Sequence, residues 1–231
     1  MRQTPSPRGG GYNVATPGKL MDAAERLFGQ RHYEAVTLRE IASEANSNIG
    51  QIVYHFGQKE ALLREVILRR AGELTDERIR VLDSYERLVG VDGVQVEPLV
   101  RAFVDPYFAR LESNDAGWRS YALFIGRSVW DGKLTPIFTE AFNRAAVRYL
   151  AALRRALPVL SEGDAVRAFQ FMLAAIYGST TNDTRISSLS GNTEMAQDYA
   201  GYRSVLIPFV VGGIERLAAQ REAERQAAAQ E

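Results

Sequence analysis

The chain has 231 residues and a mass of 25.7 kDa, room for one large or two modest domains. Its 28 Lys and Arg balance 28 Asp and Glu, so any field that attracts nucleic acid or a membrane has to be local. There is no Cys, which excludes a disulfide scaffold, Cys-ligated zinc, iron–sulfur clusters and thiol catalysis, and two His leave few routes to His-dependent chemistry.

Residues 1–15, with Pro5, Pro7 and Gly9 to Gly11 beside Arg2 and Arg8, read as a disordered arm without the apolar stretch of a secretory signal. Beyond it nearly every segment has helical period and hairpin signals are absent, so the expected fold class is all-α. The first helix is expected over Pro17–Phe28, capped by Thr16, with Leu20, Ala23, Ala24, Leu27 and Phe28 on one face and Gly29 as its stop. The second opens at Thr37, where Thr37-x-x-Glu40 is a capping box, and turns Leu38, Ile41, Ala42 and Ala45 inward. Asn46-Ser47-Asn48 is a break, since Asn adopts turn and left-handed geometry readily. The third helix follows Asn48, with Ile49, Ile52, Val53 and Phe56 expected inside, Gly50, Gln51, Tyr54 and His55 outside, and Gly57 ending it. A long fourth helix starts near Lys59 and runs to Arg87, and Gly90–Gly93 is a loop. Further helices are expected over 97–113, 116–130, 133–157, 162–180 and 194–220, then a helical tail over 221–231 with no core face, expected to fray.

Two short helices joined by about three polar residues and preceded by a packing helix make a helix-turn-helix. The second must enter a major groove roughly 12 Å wide while its inner face holds the scaffold. Gly50 permits close backbone approach, and the Gln51 amide suits an adenine edge. Asn48 sits at the helix start, where N–H groups meet phosphate. Residues 1–70 carry ten Lys and Arg against seven Asp and Glu, a net of +3, while the remainder carries −3.

The stretches Thr37-Leu-Arg-Glu-Ile-Ala-Ser-Glu-Ala45 and Asn48-Ile-Gly-Gln-Ile-Val-Tyr-His-Phe-Gly-Gln-Lys-Glu-Ala-Leu62 resemble the DNA-binding domain of the TetR family of bacterial repressors. The resemblance covers about residues 16–65 and is most specific in Tyr-His-Phe-x-x-Lys-Glu-x-Leu. The sequence departs at Asn46, where the family has Gly, at Ser47 for Val, at Asn48 for Ser, and at Val53 for an aromatic. The resemblance implies that Thr37, Tyr54, His55 and Lys59 touch phosphates and that Asn48, Gly50 and Gln51 lie nearest the bases, with Arg39 within reach of either. The implied division is a DNA-binding domain over 16–62 and a ligand-binding and dimerisation domain over 63–220.

Residues 95–180 hold thirteen of the twenty-two aromatics, as a filled core or as the walls of a small-molecule site. Read with the resemblance, the candidate pocket is Phe103, Tyr107, Trp118, Tyr121, Phe124, Phe138, Phe142, Phe169 and Tyr177, with Arg119 or Arg127 available to an acidic ligand. The last two helices are apolar nearly all round and need cover on two sides. The family dimerises through these helices, so Phe171, Ala175, Ile176, Leu206, Phe209, Val210 and Ile214 are the expected interface, with Pro208 kinking the last helix. The segment Asp183–Gly191 resembles that of a subgroup related to regulators of fatty-acid metabolism, and no ligand follows from it.

Gly126–Lys133 is not a phosphate loop: five residues separate its glycines, and Leu134 follows where Ser or Thr must bind magnesium. With no hydrolase, zincin or dinucleotide motif either, an enzyme is not expected, and neither is a metal or cofactor. The longest apolar stretches, Phe171–Tyr177 and Val205–Ile214, fall short of the ~20 residues that span a bilayer, so no membrane is expected and the location is cytoplasmic. The expected function is a dimeric repressor that binds a palindromic operator in double-stranded DNA and is released by a small, mainly apolar molecule. The alternative is an adaptor of the same fold that binds a small molecule and no DNA.

Overall fold

A computed structural model describes residues 16–113, 115–181, 188–189 and 198–230. The expected N-terminal arm and the segment Asp183–Gly191 therefore lie outside the described residues, apart from the helical pair 188–189. Among the described residues the chain is helical, with no strand: α1 Pro17–Gln30, α2 Leu38–Glu44, α3 Ile49–Phe56, α4 Lys59–Val89, α5 Val96–Glu112, α6 Ala116–Ser128, α7 Thr135–Ala156, α8 Glu162–Thr180 and α9 Tyr199–Ala228. No helix among them is long and apolar enough to cross a membrane.

The helix starts follow the sequence signals closely. Thr16 Oγ1 accepts from Lys19 N at 3.4 Å. Thr37 and Glu40 close the capping box, with the Thr37 N–H donating to Glu40 Oε2 at 2.8 Å and the Glu40 N–H to Thr37 Oγ1 at 3.3 Å. Asn48 Oδ1 accepts from Gln51 N at 3.1 Å. Asn46 takes the left-handed backbone expected of it, at φ 50°, and stands in for the family's turn glycine.

Gly29 does a different job from the one expected. It is inside α1, which runs one residue further. A Cβ built on Gly29 would sit 2.8 Å from the Ser120 carbonyl oxygen and 2.9 Å from its Cα, so this glycine lets α1 lie directly against α6. Backbone cannot yield as a flexible side chain does. Gly29→Ala is expected to part the two helices at a cost of about 1–3 kcal/mol, read as a lower thermal midpoint with α-helical content retained.

α1, α2 and α3 pack around Leu20, Phe28, Ile41 and Ile52, all fully buried. α4 then ties the two parts of the chain together. Its Leu62, Leu63, Val66 and Ile67 complete the N-terminal core, and its Ala71, Leu74, Arg78 and Leu82 are buried among the larger helices. α5 packs on α4, α7 and α9, and α8 packs on α6, α7 and α9.

The last helix runs on through the expected helical tail to Ala228. Arg221 donates to both carboxylate oxygens of Asp164 at 3.1 Å, tying α9 to the first turn of α8. That pairing and the bond to Ser161 hold the Asp164 carboxyl down to about 2. Side-chain bonds from Gln220 to Glu224 and from Gln226 to Glu222 carry the helix on to Ala228. Pro208 sits inside α9, and Pro106, which the periodicity did not single out, sits inside α5.

Candidate nucleic-acid interface and aromatic core

The turn after α2 aims α3. Its inward anchor is Ile52, fully buried. Ile49 and Val53, expected inside, are 39% and 50% exposed, because on an eight-residue helix only one narrow stripe meets the scaffold. The outward surface is therefore Gly50, Val53 and Tyr54, with Tyr54 81% exposed. Gln51 and His55 are half-buried at its edge. The His55 ring lies edge-on to Tyr54 with centroids 5.0 Å apart. Arg39 is exposed on α2, beside a shallow groove that Asn46, Ser47 and Asn48 also line.

Two of the expected phosphate ligands have local partners. Thr37 is exposed, but its hydroxyl donates to Glu40 Oε2 at 2.8 Å within the capping box. The Arg31 guanidinium and the Thr37 groups hold the Glu40 carboxyl down to about 2. Lys59 departs from its expected place. Its Nζ donates to the carbonyls of Val36 at 2.6 Å and Glu34 at 3.5 Å, and lies 4.1 Å from the centre of the Tyr33 ring. The ammonium thus clamps the short turn between α1 and α2 instead of facing a duplex, and partial burial lowers its pKa.

In the larger part of the chain, nearly all the aromatics of the expected pocket are buried, and they fall into small groups. Phe103, Tyr149 and Phe169 form a trio with centroids 5.2 to 5.3 Å apart. Tyr107 pairs with Tyr177, and its hydroxyl lies 3.3 Å from Thr180 Oγ1. Tyr121 donates to the Ile67 carbonyl of α4 at 3.3 Å. Phe124 packs on Phe28 of α1, and Phe138 stacks on Phe142 at the start of α7. Trp118 lies between the guanidiniums of Arg70 and Arg110, 4.9 and 5.2 Å from its ring centre.

Arg127 does not face this core. Its Nη2 donates to the carbonyls of Phe28 and Gly29 at 2.7 and 2.6 Å, capping the last turn of α1. At the other end of α6, Asp115 accepts from Arg70 at 2.9 Å. Arg70 Nε and Nη2 in turn donate to the buried Glu25 of α1, each at 3.0 Å. With Gly29 between them, these contacts hold α6 to α1 along its length.

The expected interface residues divide in two. Ile176, Leu206, Val210 and Ile214 are buried within this chain's own core, because α8 and α9 each turn one stripe inward. Phe171 and Phe209 are 71% and 75% exposed, and Ala175 is half-buried beside them. Val205, Gly212 and Gly213 continue the same outer face, and Val205 lies outside the expected set. One residue missed altogether is Arg78, buried on α4 among aromatics. Its signal was in the sequence: Ala71, Leu74, Arg78 and Leu82 recur at helical spacing, so a charge occupies the apolar stripe.

This arrangement defines a helix-turn-helix transcriptional regulator. Residues 20–66 match the family model described as "Bacterial regulatory proteins, tetR family", and residues 101–213 match "Tetracyclin repressor-like, C-terminal domain". The HTH-type transcriptional regulator BetI of Rhizobium meliloti (strain 1021) is 25% identical over 181 residues, 78% of this chain and 85% of that protein. The probable HTH-type transcriptional regulator YttP of Bacillus subtilis (strain 168) is 33% identical over 54 residues, 23% of this chain and only 26% of that protein. Among solved structures, SmeT, the repressor of the Stenotrophomonas maltophilia multidrug efflux pump SmeDEF, superposes with a TM-score of 0.57 at 23% identity, covering 86% of this chain and 90% of SmeT. The fatty acid degradation regulator FadR from Bacillus halodurans superposes at 0.59 and 15% identity, covering 83% and 98%. A protein from Saccharomonospora viridis in complex with choline superposes at 0.55 and 22% identity, covering 84% and 94%. The chain belongs to the TetR family of bacterial transcriptional regulators.

Proposed function

We propose that the protein is a cytoplasmic, ligand-responsive repressor that binds a palindromic operator as a homodimer. The observation that carries this reading is the free outer face of α3, with Gly50, Val53 and Tyr54 turned to solvent on a helix anchored by Ile52. Asn48, Gly50 and Gln51 suit base edges, and Val53 offers an apolar surface to a thymine methyl. Tyr54, His55, Thr37 and Arg39 suit phosphates. The exposed Phe171 and Phe209 favour a twofold pairing of α8 and α9, which sets two α3 helices about one turn of DNA apart, ~34 Å or a multiple of it.

The effector is a small molecule bound among α4, α5, α7 and α8, where the aromatic core must open to admit it. Release of DNA then needs a moving part. α6 is fastened to α1 by Arg127, by the Glu25–Arg70–Asp115 pairs and by the Gly29 contact, so a shift of α6 or α4 carries the helix-turn-helix with it. A ligand that turns 99% bound-state protein into 1% must favour the released state by about 5.5 kcal/mol.

The test is binding to a duplex from upstream of its own gene, measured at several salt concentrations. The expected result is a preference for a palindromic site over a shuffled duplex, with log K falling as log salt rises by roughly 0.9 per phosphate contacted. Equal, salt-insensitive binding to both duplexes would contradict it.

A further inference from the structure

The strongest unexplained feature of the core is Arg78. It is 3% exposed. Its Nε donates to the Phe103 carbonyl at 2.8 Å, and its guanidinium lies 3.7 Å from the centre of the Phe103 ring. Its Nη2 is buried and has no acceptor among the described residues. The ionisable groups facing it are the phenols of Tyr177, Tyr107 and Tyr121, and burial lowers its pKa. Several other arginines contrast with it. Arg70 meets Glu25, Arg110 meets Glu77, Arg148 meets Asp83 and Glu86, and Arg221 meets Asp164. Arg119 and Arg127 meet only backbone carbonyls, but Arg78 is the most deeply buried guanidinium and has no carboxylate partner among the described residues.

A second unpartnered buried polar atom is on α7. The Tyr149 hydroxyl is buried without a hydrogen-bond partner among the described residues. Arg78 and Tyr149 line one small cavity of about 10 Å³, walled by Leu82, Leu99 and Ala145. Arg148, at the same cavity, is already committed to Asp83 and Glu86. That volume holds about one water, which would satisfy a hydrogen bond but not the charge.

We propose that the effector is an anion, a monocarboxylate with an apolar body, whose carboxylate is received by Arg78. This rests on the reading above only in taking the core of the larger domain as the effector site. The unpartnered Nη2 offers a carboxylate a charge-assisted hydrogen bond. One cation neutralises a monoanion, whereas a phosphate dianion would call for a second free cation. A cationic ligand is repelled. The apolar body takes the room of the Phe103–Tyr149–Phe169 trio, so binding opens the core. Arg78 is on α4, the helix whose Leu63 and Val66 are buried in the N-terminal core, so the same event bears on the DNA-binding end.

The test uses the full chain and matched probes: benzoate and octanoate, their neutral amides, and benzyltrimethylammonium. Thermal midpoints are followed against millimolar probe concentration, since a ligand of the native state raises the midpoint by mass action. A carboxylate is expected to act at a concentration tenfold or more below its amide, as a charge-assisted pair implies, and the ammonium is expected not to act. Arg78→Met removes an unpaired buried charge, is expected to fold at least as well, and loses the preference for acid over amide. An amide as effective as its acid, a folded Arg78→Met that still prefers the acid, or no response to either carboxylate would overturn the proposal. Operator release is measured in parallel: release by neutral or cationic probes alone sinks the anion and leaves the repressor standing, and Arg78-dependent carboxylate binding without operator affinity does the reverse.

Discussion

Glu25→Ala is expected to lower the folding free energy by about 3 kcal/mol, because it leaves buried guanidinium groups without their shared counter-ion. Glu25 is 2% exposed and receives Arg69 Nη2, Arg70 Nε and Arg70 Nη2, each at 3.0 Å. Arg70 keeps Asp115 and Arg69 keeps Asp22, and both guanidiniums reach some solvent, so the low end of the range for a broken buried pair applies. For a chain of this size that is a fall in thermal midpoint of roughly 6–12 °C. The exposed pair Arg26–Glu44 is the control, and Glu44→Ala is expected to change stability by less than about 1 kcal/mol. Equal effects from the two variants would show that the α1–α4–α6 junction is not held by charge. Space is short there too: a Cβ on Gly117 would sit 2.1 Å from Arg70 Nη2 and 2.6 Å from Glu25 Oε1.

Phe209→Asp is expected to convert dimers to monomers without unfolding the chain. Phe209 is 75% exposed, so its loss removes little from the monomer's own core. In a twofold interface each substitution counts twice. Burying a Phe contributes about 1.5–3 kcal/mol, so losing two weakens association by ~10²–10⁴-fold before the cost of the buried carboxylates is added. Sedimentation velocity at micromolar protein reads the change, and operator affinity is expected to fall with it. A variant that remains dimeric would move the interface elsewhere.

The sequence carried the local structure well, for reasons visible in particular residues. Caps and turns are short-range chemistry, so Thr16, Thr37 with Glu40, Asn46 and Asn48 could be read without knowing the fold. Facing was harder. Ile49 and Val53 look like core by hydropathy, yet a short helix on three others buries only its Ile52 stripe. Gly29 reads as a helix stop by type, whereas its role is set by Ser120, ninety-one residues away in the chain. Long-range pairing was not legible either. Lys59 and Arg127 belong by type among anion ligands, but each donates to backbone carbonyls supplied by a distant turn or helix end. The aromatic content marked where the core lies but not how its rings group. For α8 and α9, an apolar circumference showed that cover was needed on two sides, and only the fold separates the stripe inside from the one outside.

The central claim is that the outer face of α3 reads a duplex. It is tested most directly by Gln51→Ala with Tyr54→Ala, assayed for operator affinity, thermal midpoint and sedimentation together. The account predicts a loss of at least tenfold in affinity, as the removal of a base contact and a phosphate contact implies, with the fold and the oligomeric state unchanged. Undiminished affinity in the folded double variant would contradict it.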